Sequence, residues 1–314
     1  MAVSRGSVVI PVKNEEESIL QLLRSLEKQT LKPSEVIIVD GGSSDDTVDI
    51  IKSFIKSRSN YKLLVAEGAN IARSRNIGIA AASSDVIACT DAGVVLDRCW
   101  LENLEKYFDA EGADFVSGLY VGRGESLLQR GIIALQYPKI DKLSKEDFLP
   151  SSRSVAFRKC VWKAVGGYPE DLEKAEDTFF DLRVKEMGCK IALARDAKAY
   201  WPPRDSLRKL FRQYSSYAEW DVKAGLLFKL KVYRHLFLAY FIVLSLSALS
   251  LVFGYIWFLI LVFLACVYLM TSSVVLFKKT RNLLSFLVGP TIKIVIFMAE
   301  TFGLLKGFAE LIGK

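Results

Sequence analysis

From Ser7 onward the chain alternates between two hydrophobic periods. Ser7–Val12 (SVVIPV), Glu35–Asp40 (EVIIVD), Tyr61–Ala66 and Asp85–Thr90 (DVIACT) are short apolar runs of the buried-strand type. Between them apolar residues recur at helical spacing. Ile19, Leu22, Leu23 and Leu26 follow the first run, Val48, Ile51 and Phe54 the second, the Ala-rich stretch 69–82 the third, and a helix near Trp100–Phe108 the fourth. Gly41-Gly42 stops the second run, and Ser43 with Asp46 reads as a capping box for the helix after it. Continuous apolar strands joined by helices predict an α/β fold with a mostly parallel sheet.

Past residue 228 the pattern changes. Residues 236–277 contain no Asp, Glu, Lys, Arg or His. A spanning helix needs roughly 20 apolar residues, so the stretch holds two, Leu236–Phe253 and Tyr255–Phe277, turning near Gly254. A third candidate span, Leu283–Leu305, contains Lys293 and Glu300 on one helix face, where they could pair inside a bundle. Upstream, Leu207, Leu210, Phe211, Tyr214, Tyr217 and Ala218 recur at helical spacing among Arg208, Lys209 and Arg212. That pattern suits a helix lying at a lipid interface or packed on a core. The sequence therefore divides into residues 1–228, ending in this helix, and a membrane domain, 229–314.

Composition sharpens the division. The 314 residues are 51% hydrophobic with a mean hydropathy of +0.26, which excludes a disordered chain. The net charge is +7, and all of it falls in 229–314, which carries nine Lys and Arg against two Glu. The basic balance thus reads as topology and attraction to membrane lipid; no nucleic-acid partner is expected. Lys229, Lys231 and Arg234 precede the first span and Lys278–Arg281 follows the second. With no signal-peptide pattern at the N-terminus, this predicts a multi-pass protein of the cell membrane with residues 1–228 in the cytoplasm. Five cysteines without a CxxC pair and one histidine, His235 at the entry to the first span, argue against a Cys/His zinc site and a histidine base.

In open α/β sheets, ligands bind outside the C-terminal ends of the strands. Lys13-Asn14-Glu15 follows the first strand, Gly41-Gly42-Ser43 the second after Asp40, and Asp91-Ala92-Gly93 the fourth. Each alone reads more readily as a loop and helix cap. Three on one sheet edge predict a nucleotide-sized site. Neither GxxxxGK[ST] nor a GxGxxG after the first strand is present, which disfavours a Walker-type NTPase and a standard dinucleotide enzyme.

Ser7–Glu15 (SVVIPVKNE), Glu35–Thr47 (EVIIVDGGSSDDT), Ala72–Gly78 (ARSRNIG), Ala88–Gly93 (ACTDAG), and Gly166–Pro169 followed by Glu176-Asp177 resemble, in order, the motifs of family-2 glycosyltransferases with the GT-A fold. The resemblance covers roughly residues 5–220. It implies that Pro11, Asn14, Glu15 and Ser43 shape the nucleotide-sugar pocket, that Asp40 contacts base or ribose, and that Arg75 and Asn76 lie beside the donor. Asp91 corresponds to the first residue of the Asp-x-Asp metal motif. The third position is Gly93, so a carboxylate is missing. A Mg²⁺ or Mn²⁺ ion would rest on Asp91, with Asp97 or another acid nearby, or Lys or Arg would do part of its work.

Asp177 corresponds to the catalytic carboxylate, with Glu176 beside it. Without the resemblance, two acids in a first helical turn are also what the macrodipole favours. The implied activity is inverting transfer of a sugar from a nucleotide-diphosphate donor, at the membrane, to a polyprenyl-linked sugar, a polyprenyl phosphate or a glycan. The alternative is a non-catalytic GT-A-like membrane scaffold or flippase-associated subunit, for which Gly93 is the main argument.

Overall fold

A computed structural model describes residues 6–139, 143, 149–227 and 229–313. The side chains of residues 231, 232, 234–236 and 253 lie outside the described set, and with them the expectations for Lys231, Arg234 and His235. The order of elements is β1 (Gly6–Val12), α1 (Ile19–Glu27), β2 (Glu35–Asp40), α2 (Thr47–Ile55), β3 (Tyr61–Val65), α3 (Ile71–Ala81), β4 (Val86–Cys89), β5 (Val95–Leu96), α4 (Trp100–Ala110), β6 (Phe115–Gly122) and α5 (Leu127–Gln136). It continues with β7 (Val155–Arg158), α6 (Lys159–Ala164), α7 (Glu176–Glu186), β8 (Ile191–Trp201), α8 (Leu207–Lys223), α9 (Lys231–Phe253), α10 (Ile256–Thr280) and α11 (Ser285–Ile312).

The chain divides into two compact units. The first comprises residues 6–122 and 138–202 and contains one sheet of order β3-β2-β1-β4-β7-β6-β8-β5. Strands β3, β2, β1 and β4 are mutually parallel, and β7 runs antiparallel to both β4 and β6. The apolar runs are continuous because both faces are covered. Val8, Ile10, Val36 and Ile38 pack on one side with Leu22 and Leu26 of α1; Val9, Ile37 and Val39 pack on the other with Ala72 and Ile79 of α3. The period of two along each strand assigns alternate residues to the two layers. Truncating one of these fully buried side chains, such as Ile38→Ala, should cost about 2–5 kcal/mol.

Pro11 lies inside a central strand without breaking the ladder. Val9 accepts from Thr90 N–H on the β4 side, so Pro11, two residues on, directs its polar groups the same way. The β1–β4 pairing has already ended at Val9↔Cys89, so the N–H that proline lacks has no strand partner to lose.

The second unit comprises residues 123–137 and 203–313. Helix α8 belongs to it. The physical reason is close packing of α8 along α11. A Cβ on Gly303 would meet the Ser215 carbonyl at 2.1 Å, and one on Gly307 the Glu219 carbonyl at 2.9 Å, so glycine permits this approach. Lys223 pairs with Glu219 (2.5 Å) and Glu310 (2.6 Å), and Lys306 pairs with Glu219 (2.8 Å). Among the described residues two helices are long and apolar enough to cross a membrane: α10, with mean hydropathy 2.5, and α11, with 1.5. Within α9 the described apolar stretch is Phe237–Val252. Lys293 does not face Glu300. It donates to the Tyr268 carbonyl (3.2 Å) and the Thr271 hydroxyl (3.1 Å) of α10, and lies 3.7 Å from the centre of the Tyr268 ring.

Candidate active site

The loops after β1 and β2 are bound into one surface. Asp40, at the end of β2, is buried and its carboxylate accepts from the Gly42 and Ser43 N–H groups (both 3.0 Å) and the Ser43 hydroxyl (2.5 Å). The Ser43 hydroxyl in turn accepts from Asn14 N–H (2.8 Å), and the Asn14 side-chain oxygen accepts from Ser44 N–H (2.8 Å). Asn14 has φ of 53° and Gly42 φ of 87°, so both loops turn through the left-handed region, which asparagine and glycine tolerate best. This corrects the role expected of Ser43 as a helix cap. Asp40 and Asn14 take its hydroxyl, and Asp45 instead accepts from Thr47 N–H (3.1 Å) at the start of α2.

The donor-side acid and the acceptor-side acids are joined through one guanidinium. Arg75, on α3, is 1% exposed. One of its amino groups donates to Asp91 Oδ1 (2.6 Å) and the other to Glu176 Oε1 (2.5 Å). Burial works against its charge, but Asp91 and then Glu176 override it and raise its pKa well above the usual value. Asp91 is likewise opposed by burial, yet Arg75 and then Arg153 hold it below the ordinary carboxylate range. Glu176 moves the other way. Burial and the adjacent Asp177 push it up by more than Arg75 pulls it down.

Asp177 stands next to this bridge, half-buried, with Ser151 Oγ donating to its Oδ2 at 3.4 Å and Thr178 N–H to its Oδ1 at 2.8 Å. Both acids are set by a strained entry to α7. Ala175 has φ of 64°, costly for a residue with a Cβ.

Sequence reasoning missed Arg153. It lies just before β7, faces Asp91 Oδ2 at 3.8 Å, donates to Ser151 Oγ at 2.9 Å, and stacks over Trp201 at 4.0 Å. Arg75, Asp91, Arg153, Ser151 and Asp177 thus form one chain of contacts from the end of β4 to the start of α7. No motif announces Arg153, because its neighbours Ser151, Asp91 and Trp201 come from three separate segments.

Two expected residues are placed differently. Asn76, expected beside the donor, is bonded by the protein itself. Its oxygen accepts from Trp162 Nε1 and Tyr168 N–H (both 2.9 Å), and its amide donates to the Tyr168 carbonyl (2.8 Å) and Glu170 (2.9 Å). Those four bonds use its full capacity and pin the 166–170 segment. Asp97 accepts from Cys99 N–H (3.1 Å) and Tyr200 OH (3.3 Å), and so is committed to the start of α4 and to β8.

For a divalent cation the donor set is small. Among the described residues no group of three or more His, Cys, Asp or Glu is placed to hold a metal. Asp91 is one carboxylate. The space a side chain at Gly93 would enter opens on another, with Glu15 Oε2 3.7 Å and Oε1 3.9 Å from the Cβ position. Mg²⁺ is commonly held by one or two carboxylates plus substrate phosphates. A cation at Asp91 would therefore be shared with a diphosphate, not caged by protein.

Residues 7–158 match the model of the family described as Glycosyl transferase family 2. The chain belongs to that family. As a family-2 glycosyltransferase, it is 29% identical over 218 residues to the glycosyltransferase AglE of Haloferax volcanii, covering 66% of this chain and 70% of that one. It is 25% identical over 221 residues to the O-antigen chain rhamnosyltransferase RfbN of Salmonella typhimurium, covering 66% and 69%. The fold is that of the mannosyltransferase PcManGT from Pyrobaculum calidifontis, solved with GDP-Man and Mn²⁺, at a TM-score of 0.62 and 18% identity over 96% of this chain and 87% of that one. The expected GT-A fold is thereby established, and the family-2 glycosyltransferase is an enzyme of nucleotide-sugar chemistry.

Proposed function

We propose that this glycosyltransferase inverts the anomeric centre as it moves a sugar from a nucleoside diphosphate to a hydroxyl of a lipid-linked sugar or glycan, with Asp177 as base. The observation that carries the reading is the Arg75 bridge, which fixes Asp91 on the donor side and Glu176, beside Asp177, on the acceptor side. Asp40, Ser43 and Asn14 shape the wall for base and ribose, with Pro11 and Glu15 at the end of β1. Arg75 and Asn76 act as positioning residues, one holding the two acids, the other the 166–170 segment. Arg153, held on Trp201, lies where a guanidinium can turn from Asp91 toward a diphosphate oxygen.

A hydroxyl is a weak nucleophile at neutral pH, and a positioned carboxylate takes its proton as the bond to the anomeric carbon forms. Glu176, held by Arg75, stands beside Asp177 at the first turn of α7. Mg²⁺ or Mn²⁺, held by Asp91, would neutralise charge on the leaving diphosphate when bound. A polyprenyl phosphate acceptor would arrive already ionised and would not need Asp177. The apolar helices α10 and α11, with α9, support anchoring in the cell membrane by several passes, the catalytic unit on the cytoplasmic side.

Incubating detergent-purified protein with UDP- and GDP-sugars and a lipid-linked sugar tests this. Transfer giving the anomer opposite to the donor's is expected. Retention of configuration, or no turnover of any nucleotide sugar, would overturn it.

A further inference from the structure

We infer that Glu15 supplies the second carboxylate of the metal–diphosphate site, in the place that Gly93 leaves open; this rests on the proposed binding of a nucleotide sugar with a divalent cation. Strands β1 and β4 are neighbours paired in parallel from Gly6↔Val86 to Val9↔Cys89, so the loops leaving their ends are adjacent. Asp91 leaves β4 on one loop and Glu15 leaves β1 on the other.

The Glu15 backbone is pinned. Asn14 turns the chain at φ of 53°, Glu15 N–H donates to Thr47 Oγ1 at 2.7 Å, and the Glu15 carbonyl accepts from Ile19 N–H at 2.9 Å. From that fixed point the carboxylate reaches toward position 93. The atoms within 4 Å of a Cβ built on Gly93 are its two oxygens, at 3.7 and 3.9 Å.

The distances explain the exchange of residues. An aspartate carries its oxygens roughly 2.4 Å from Cβ. The Glu15 oxygens are thus only about 1.3 Å farther from that Cβ position than an aspartate's own would be. A cation bound near Asp91 would meet this carboxylate from β1 instead of one from β4. Ser18 Oγ donates to Glu15 Oε2 and orients the group.

The test uses the full-length protein in detergent and follows free Mn²⁺ by electron paramagnetic resonance, with UDP or GDP present at fixed concentration. Glu15→Gln is nearly isosteric and keeps the backbone bonds. It should weaken Mn²⁺ binding at least tenfold, as should Asp91→Asn. Adding Gly93→Asp to Glu15→Gln should return the affinity to within about threefold of the parent, because the carboxylate is restored from the other strand. Parental Mn²⁺ affinity in Glu15→Gln, with the loss confined to Asp91→Asn, would overturn the role of Glu15 and leave the metal reading intact. No nucleotide-dependent Mn²⁺ binding by the parent would overturn both.

Discussion

Replacing Arg75 by methionine removes the one cation that touches both Asp91 and Glu176 while nearly keeping its volume. Its two ion-pair contacts are 2.6 and 2.5 Å, and its side chain and that of Glu176 are 1% and 7% exposed. Removing one partner of a buried ion pair costs about 3–5 kcal/mol, because the remaining charge is left without compensation. For a unit of this size each kcal/mol moves Tm by about 2–4 °C, so Arg75→Met should lower Tm by roughly 6–20 °C. The loss should depend on pH. Glu176 is already raised by burial and Asp177, and without Arg75 it rises further, so acid neutralises it and reduces the penalty. The drop in Tm, read by circular dichroism, should be smaller at pH 5.5 than at pH 8, and Glu176→Gln added to Arg75→Met should recover part of it. A fall of less than about 2 °C at pH 8, or no recovery in the double variant, would refute the reasoning.

Asp181 is 1% exposed and neither of its carboxyl oxygens has a hydrogen-bond partner. Burial, and then Asp177, raise its pKa well above the usual range, so the folded protein holds a proton that the unfolded chain releases, and stability falls as pH rises above about 4. Asp181→Asn should therefore leave Tm equal or higher at pH 7, with the gain growing toward pH 8; a lower Tm at pH 8 would show an ionised, partnered acid. Glu35 behaves oppositely. Burial alone would raise it, but hydrogen bonds from Ser7 and Ser83 and then Lys62 lower it to about 2. Its contribution, about 2–3 kcal/mol, is present above about pH 4.5 and lost toward pH 2, so the advantage of the parent over Glu35→Gln in urea unfolding should shrink across that window. For topology, membrane-impermeant thiol labelling should modify a cysteine placed at Gly254 and spare one at Thr280; the reverse would invert the orientation.

The parallel half of the sheet was legible because β1, β2 and β4 are buried on both faces and leave unbroken apolar runs, as Glu35–Asp40 does. The site residues at strand ends were legible for the same reason, since topology puts the ends of β1, β2 and β4 side by side. What stayed hidden depends on contacts distant in sequence. Strands β5 to β8 include short and antiparallel pieces such as Val95–Leu96, whose pairing to Tyr200 and Ala199 no local period reveals. Arg153 carries no spacing signal, and the four bonds of Asn76 go to partners 86 to 94 residues on. Helix α8 has an amphipathic face that fits lipid and core alike, and only Gly303 and Gly307 of α11, some 85 residues on, show what covers it.

The central claim is that Asp177 takes the acceptor's proton. The most direct measurement is kcat for transfer to a hydroxyl acceptor by Asp177→Asn, alongside donor affinity from nucleotide-sugar thermal shift. The amide keeps the shape, its oxygen can still accept from Thr178 N–H and its NH2 can donate to the Ser151 hydroxyl, but it cannot take a proton. A fall in kcat of about 10²–10⁴-fold with donor affinity unchanged is the predicted result; near-parental transfer to a hydroxyl would contradict it.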